Sequence, residues 1–154
     1  FWFTTCKPCV EELKDLEALN TELAKKGGTV VGINTFTLDG DKAAISEAKD
    51  ILSKKGVSYR NVWFDSKSDA GTFTSGLYSY PTTYVVDKNG NIIGQPIVGA
   101  ITSSDQAQKL HELIEQAIAS SNGFKTKRDG TCHLVFYAEK RETQTCELIS
   151  DSLY

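Results

Sequence analysis

Two cysteines, Cys6 and Cys9, stand in the run Phe1-Trp2-Phe3-Thr4-Thr5-Cys6-Lys7-Pro8-Cys9. Thiols at C-x-x-C spacing, where an apolar β-favouring stretch gives way to an amphipathic helix, read as a redox pair. A helix that starts near Cys6 leaves unpaired backbone N–H groups and a positive dipole end at that sulfur, and both favour thiolate over thiol. Lys7 adds a cation. Pro8 suits a first helical turn, where its missing N–H costs nothing. The chemistry such a pair supports has two steps: Cys6 attacks a disulfide, and Cys9 then resolves the mixed disulfide. Two other readings compete. A zinc site would need two more ligands, and the candidates Cys132, His133, Cys146 and His111 are scattered over the far end of the chain. A purely structural disulfide would close too small a ring to constrain much of the unfolded chain.

The elements that must hold this pair follow from periodicity. Val10, Leu13, Leu16, Leu19 and Leu23 recur at helical spacing over about 10–26, and Gly27-Gly28 supplies the stop. On that helix Glu12 falls one turn beyond Cys9, where a carboxylate could exchange the proton that Cys9 gains or loses. The β-branched run Thr29 to Asn34 reads as a buried strand, parallel to the strand carrying Phe1-Trp2 because a helix joins them. A capped loop at 37–41, an amphipathic helix ending at Gly56, a strand over 59–64 and a loop with a short helix at about 70–74 come next. Tyr80-Pro81 then opens a β run reaching Asp87. The hairpin signal Asp87-Lys88-Asn89-Gly90 leads into Asn91 to Val98, interrupted by Gly94 and Pro96 as on an edge strand. Ser103-Ser104-Asp105 caps a last helix whose apolar stripe is Leu110, Leu113, Ile114, Ala117 and Ile118. His111 lies beside that stripe and reads as a surface histidine.

Phe1-Trp2 through Cys9, together with Glu12, resembles the active-site segment F-W-x-x-x-C-x-x-C-x-x-E of the TlpA/ResA-like thioredoxin-fold family. The resemblance covers about residues 1–119 and includes the Pro81 segment and the Asn89-Gly90 turn. It implies an α/β thioredoxin-like fold with a central mixed sheet flanked by helices. It also implies a thiol-disulfide oxidoreductase, commonly a reductant, placed extracytoplasmically in bacteria: periplasmic, or anchored on the outer face of the cytoplasmic membrane. In such a fold the Tyr80–Pro81 bond is cis and faces the cysteines. Cys6, Cys9 and Glu12 become the catalytic set, and Tyr80, Pro81, Lys7, Pro8 and Trp2 the substrate-facing one. Partners are protein thiols and disulfides plus an upstream electron donor, and no cofactor or metal is called for. Two departures bear on specificity and shape. Thr5 stands where the family often has Trp, and Lys14 where it often has Pro.

The chain has 154 residues and a formal net charge of −3, which suits one domain with a small appendage and gives no electrostatic reason to expect nucleic acid as partner. No apolar run approaches transmembrane length. There is no Met, and the chain opens inside an expected strand. The expectation is therefore a domain lacking the N-terminal part of the family fold, with any signal or anchor upstream. Residues 120–154 fall outside the family pattern and form a C-terminal extension. Leu134 to Tyr137 and Thr143 to Ile149 favour β structure, and five basic residues balance five acidic ones over 123–154. Cys132 and Cys146 could close a disulfide worth about 3 kcal/mol, or both could be free. The run at 134–137 is also a candidate for strand-mediated self-association. Two alternatives to the oxidoreductase remain. A peroxiredoxin-type thiol peroxidase would want Thr three residues before its reactive cysteine, where Phe3 stands. A non-catalytic thioredoxin-fold binding module would not need Cys6 and Cys9 to cycle.

Overall fold

Helix α1 (Lys7–Ala24) begins where the sequence places it. Cys6 caps it in extended conformation with no side-chain cap, and Pro8 lies in its first turn. It ends slightly earlier than the glycines suggest. Gly27 takes a positive φ of 77°, and the N–H groups of Lys26 and Gly28 both return to the Leu23 carbonyl at 2.8 Å. The computed structural model describes residues 1–122. The order that follows is β1 (Val31–Ile33), a 3-10 segment (Thr35–Gly40), α2 (Lys42–Lys55), β2 (Arg60–Val62), α3 (Asp69–Ser75), β3 (Thr82–Thr83), β4 (Ile97–Val98) and α4 (Ser104–Asn122). Expectations about Cys132, His133, Cys146 and the runs at 134–137 and 143–149 lie outside the described residues.

Each helix shows the local chemistry that sets its ends. The Asp41 carboxylate accepts the Ala44 N–H at 2.9 Å to open α2, and Gly56, at φ 70°, closes it in the left-handed conformation that glycine adopts without penalty. Ser68 Oγ accepts from Gly71 N to open α3. The capped loop expected at 37–41 is largely wound into the 3-10 segment, which starts earlier, at Thr35. There the Asn34 carboxamide accepts the Phe36 N–H, and the Asn34 carbonyl takes both the N–H and the hydroxyl of Thr37.

The β structure is a mixed set of short pieces. Strands β1 and β2 pair in parallel, with Val31 opposite Arg60 and Ile33 opposite Val62, and β3 and β4 pair antiparallel, with Thr82 opposite Val98. Phe1-Trp2 joins the two pairs. Trp2 N donates to Ile33 O and Thr35 N donates to Trp2 O, both at 3.0 Å, giving the parallel bridge to Asn34 that a β-α-β unit requires. On the other side Phe1 N donates to Thr82 O at 2.8 Å and Thr82 N returns a bond to Phe1 O at 3.3 Å. The hairpin at Asp87 closes as its residues suggest. Asp87 N donates to Asn91 O, Ile93 N donates to Val85 O, and the Asp87 carboxylate takes the N–H groups of Asn89 and Asn91. Its two arms form regular ladder only at β3 and β4, with a single bridge between Val86 and Ile92.

Trp2, Leu13, Leu23, Val30, Leu52, Tyr59, Val85, Ile97, Leu110, Ile114 and Ala117 are buried together in one core, and Cys6 and Cys9 belong to the same cluster. The helix stripes read from the sequence are the faces that meet it. Among the described residues no helix is long and apolar enough to cross a membrane.

Candidate functional site

Cys6 and Cys9 are joined in a disulfide, with sulfurs 2.02 Å apart and Cα atoms 5.3 Å apart. Cys9, inside the first turn of α1, is fully buried, while Cys6 keeps a sliver of surface at 7% exposure. The sulfur able to meet a partner is thus the one at the helix cap. Around it the surface is made by Thr5, Lys7 and Pro8, all exposed. The Lys7 ammonium is not committed to the sulfur; it lies 3.8 Å from the Glu11 carboxylate one turn along, in open solvent.

Glu12 is 2% exposed and turned into the protein. Its Oε2 accepts the Ile101 N–H at 2.9 Å. Burial pushes its pKa up from 4.5 to about 7, with Asp15 adding to the rise, while the Ile101 N–H pulls against it. A carboxyl that titrates near neutrality, one helical turn from a buried thiol, is suited to exchanging a proton with it. Burial likewise raises the pKa of the Tyr59 phenol, helped by the negative charges of Glu12 and Glu17.

The second component is the loop before β3. The Tyr80–Pro81 bond is cis, as its place in the chain predicts, and Pro81 is buried. Two links run from this loop to the cysteine segment. The Tyr80 ring meets the Phe3 ring edge-on at 5.1 Å, and the Phe3 carbonyl accepts the Cys6 N–H at 3.1 Å. Gly99 N donates to Pro81 O at 2.9 Å, and two residues on, Ile101 supplies the bond to Glu12. The strand-to-helix turn at 99–101 therefore ties the cis-proline loop to the buried carboxylate.

Trp2 needs a correction. It was expected on the substrate-facing side, but it is 3% exposed and its indole N–H donates to Asn61 Oδ1 at 3.0 Å inside the protein. It offers a partner no surface and supports the site from beneath. His111 is exposed on α4. Among the described residues no group of three or more His, Cys, Asp or Glu side chains comes together as a metal site would require.

Three contributors were not singled out from the sequence. The Ile101 donor is a backbone group, so no residue type announces it. Asn61 is visible only through its distant partner Trp2. Phe36, stacked on Phe3 at 4.9 Å and 30°, sits in the 3-10 segment just ahead of the loop expected at 37–41. The Asn34 cap two residues before Phe36 was the one local signal available.

Comparison with known proteins agrees with this geometry. The chain is 30% identical over 118 residues to the thioredoxin-like protein YneN of Bacillus subtilis, which spans 71% of this chain and 60% of that protein. It is 30% identical over 116 residues to the thiol-disulfide oxidoreductase ResA of Bacillus cereus, covering 73% of this chain and 60% of the relative. To the thiol:disulfide interchange protein DsbE of Pseudomonas aeruginosa it is 33% identical over 120 residues, 76% of this chain and 58% of that one. The match thus spans about 60% of the length of these relatives. The TlpA/ResA resemblance read from the cysteine segment is borne out by them. The sequence model of the AhpC/TSA family matches residues 1–95, from the cysteine segment through the cis-proline loop and its hairpin, and the chain belongs to that family.

Proposed function

We propose that this chain is a thiol-disulfide oxidoreductase that reduces disulfides in partner proteins, working outside the cytoplasm. The observation that carries the reading is the Cys6–Cys9 disulfide at the cap of α1, with Cys6 keeping 7% exposure, Cys9 fully buried, and Glu12 one turn further in. The names of ResA and DsbE support the same reaction class, and the family resemblance supports both that class and the location. The short strands are read as one central mixed sheet of a thioredoxin-like fold, in the order β2, β1, Phe1-Trp2, β3, β4. Residues 1–119 form the working unit, and 120–154 an extension to it.

The reaction begins with the dithiol. The Cys6 thiolate, stabilised at the helix N-terminus, attacks one sulfur of a partner disulfide. A Cys6–partner S–S bond forms, the partner's own S–S bond breaks, and its second sulfur leaves as thiolate. Cys9 then loses its proton to Glu12 and attacks Cys6 Sγ. The intramolecular disulfide forms, the Cys6–partner bond breaks, and the partner sulfur that Cys6 had attacked leaves. Two electrons pass from the Cys6/Cys9 pair to the partner, whose two thiolates take up two protons. One is released by Cys9 through Glu12, and one comes from solvent because Cys6 enters as thiolate. Tyr80, joined by a cis bond to the buried Pro81, flanks the incoming polypeptide, with Lys7 and Pro8 on the opposite rim. An upstream dithiol donor returns the pair to the reduced state, and no cofactor takes part.

The test is the reduction potential of the Cys6/Cys9 pair, measured against glutathione and dithiothreitol buffers in a Cys132/Cys146 double variant. A value near −270 mV, that of thioredoxin, is expected for a reductant. A value near −120 mV would make the chain a disulfide donor, and no reversible exchange at all would overturn the reading. In single turnover Cys9→Ala should trap a Cys6–partner mixed disulfide. Glu12→Gln should slow its resolution about a hundredfold and remove an inflection near pH 7.

A further inference from the structure

Among the described residues, Phe36 is a large apolar side chain that stays half in water, at 50% exposure. Its exposure is imposed by the backbone. Phe36 N donates to Asn34 Oδ1 at 2.9 Å, and the next residue, Thr37, is fully buried with its hydroxyl bonded to Asn34 O at 2.8 Å. The backbone at Phe36 is therefore held in place, and its ring stacks on Phe3 at 4.9 Å and 30°. Phe3 in turn meets Tyr80 edge-on at 5.1 Å. Three rings thus run from the 3-10 segment to the residue before Pro81, passing the segment whose next turn carries Cys6. The Tyr80 hydroxyl donates to Leu77 O at 3.2 Å, so this end of the row keeps its polar atom occupied within the protein. Thr5 leaves the position before Cys6 without a ring, so the aromatic surface on this flank comes from Phe36 and not from the cysteine segment itself.

We propose that Phe36, backed by Phe3 and Tyr80, is a specificity-determining contact that selects partner polypeptides carrying an aromatic or branched apolar side chain next to the cysteine that Cys6 attacks. The inference rests on the thiol-disulfide reading of Cys6 and Cys9. The occupant is a partner polypeptide because the row is continuous with the exposed rim of that pair. It is apolar because the three side chains of the row present rings, and the one hydroxyl among them, that of Tyr80, is bonded to Leu77 O. Placing a ring or branched chain on an aromatic face already fixed in position gains contact area with little ordering cost.

The experiment uses the full reduced chain and a set of cyclic disulfide peptides that differ only in the residue before the first cysteine: Phe, Leu, Ser or Glu. Second-order rate constants for reduction are read by stopped flow, with oxidised glutathione as a small disulfide that carries no such side chain. The wild-type chain should reduce the Phe and Leu peptides about tenfold faster than the Ser and Glu peptides. Phe36→Ala should erase that preference, bringing the Phe and Leu rates down to those of the Ser peptide, and Phe36→Trp should retain it. The proposal is overturned if the wild type shows no preference, if Phe36→Ala keeps it, or if Phe36→Ala slows every disulfide equally. It is equally overturned if sedimentation shows that Phe36 holds two copies of this chain together and the peptide preference does not depend on it. Failure to reduce any disulfide, glutathione included, is a different result, because it removes the oxidoreductase reading itself.

Discussion

Glu12 sits in the protein as a carboxyl whose proton is worth free energy. Its folded pKa of about 7 stands above the ordinary 4.5, so at pH below 4.5 both folded and unfolded chains hold the proton. As pH rises from there the unfolded chain releases its proton first, and folding loses stability until the folded group also ionises near pH 7. The shift corresponds to a loss of about 3 kcal/mol across that window. Glu12→Gln cannot ionise, yet its amide carbonyl can still accept the Ile101 N–H. Urea unfolding of the oxidised chain at pH 4.5, 6 and 8 should therefore show the variant gaining on wild type by about that amount, and parallel curves would contradict the assignment. Trp2 makes a second case in which one atom decides. Trp2→Phe keeps most of the ring in the core but strands Asn61 Oδ1, which should cost about 1–3 kcal/mol by the same denaturation. A Trp beside a redox motif reads equally well as a surface ring, and only the distant acceptor on Asn61 shows that it is inside.

Among the elements, the helices and the places of the strands were legible, and the pairing of the sheet only in part. Leucine spacing located α1, and Asp41 with Gly56 bracketed α2, because a helix is made from neighbours in sequence and its caps are local. Strands two or three residues long carry almost no periodic signal, and the pairing of Phe1 with Thr82 joins positions 81 apart. The parallel register of β1 on β2 depends on a contact that sequence alone could not reveal. Gly32 lies opposite Asn61, and a Cβ there would overlap Asn61 Oδ1, the acceptor of the Trp2 indole, with Asn61 Cγ only 2.8 Å away. Gly32→Ala should therefore push Asn61 off Trp2 and cost about 2–4 kcal/mol, the sum of overpacking and a broken buried hydrogen bond. Gly56→Ala is the contrast. Nothing lies within 4 Å of its would-be Cβ, and only the left-handed φ of 70° opposes it, so a loss of about 1 kcal/mol is expected. Thermal melts of the two variants should separate them clearly, and equal losses would mean that backbone strain rather than the Asn61 contact governs Gly32.

At the scale of the molecule, the question is how much of the chain the working unit needs. Among the described residues the buried core runs from Trp2 to Ala117, and Ile118 packs against it. Helix α4 closes the core with Leu110, Leu113, Ile114 and Ala117, and it meets the end of α1 through Lys26, whose ammonium lies 3.0 Å from Glu115. That ion pair is solvent-exposed and contributes little beside the apolar face. Ile114→Ala should cost about 2–5 kcal/mol, because it empties a buried site in the middle of the stripe. The site has the same extent. Cys6, Cys9, Glu12, Phe36, Tyr80, Pro81 and the Ile101 donor all precede α4, and the bonds that position them are made within residues 1–101. A chain ending at Asn122 should therefore unfold in a single transition, with a urea midpoint and a Cys6 exchange rate matching those of the full 154 residues. A fall in the midpoint would show that residues beyond 122 supply stability and would overturn the division near residue 119. A normal midpoint with a changed exchange rate would instead place part of the partner surface in the extension.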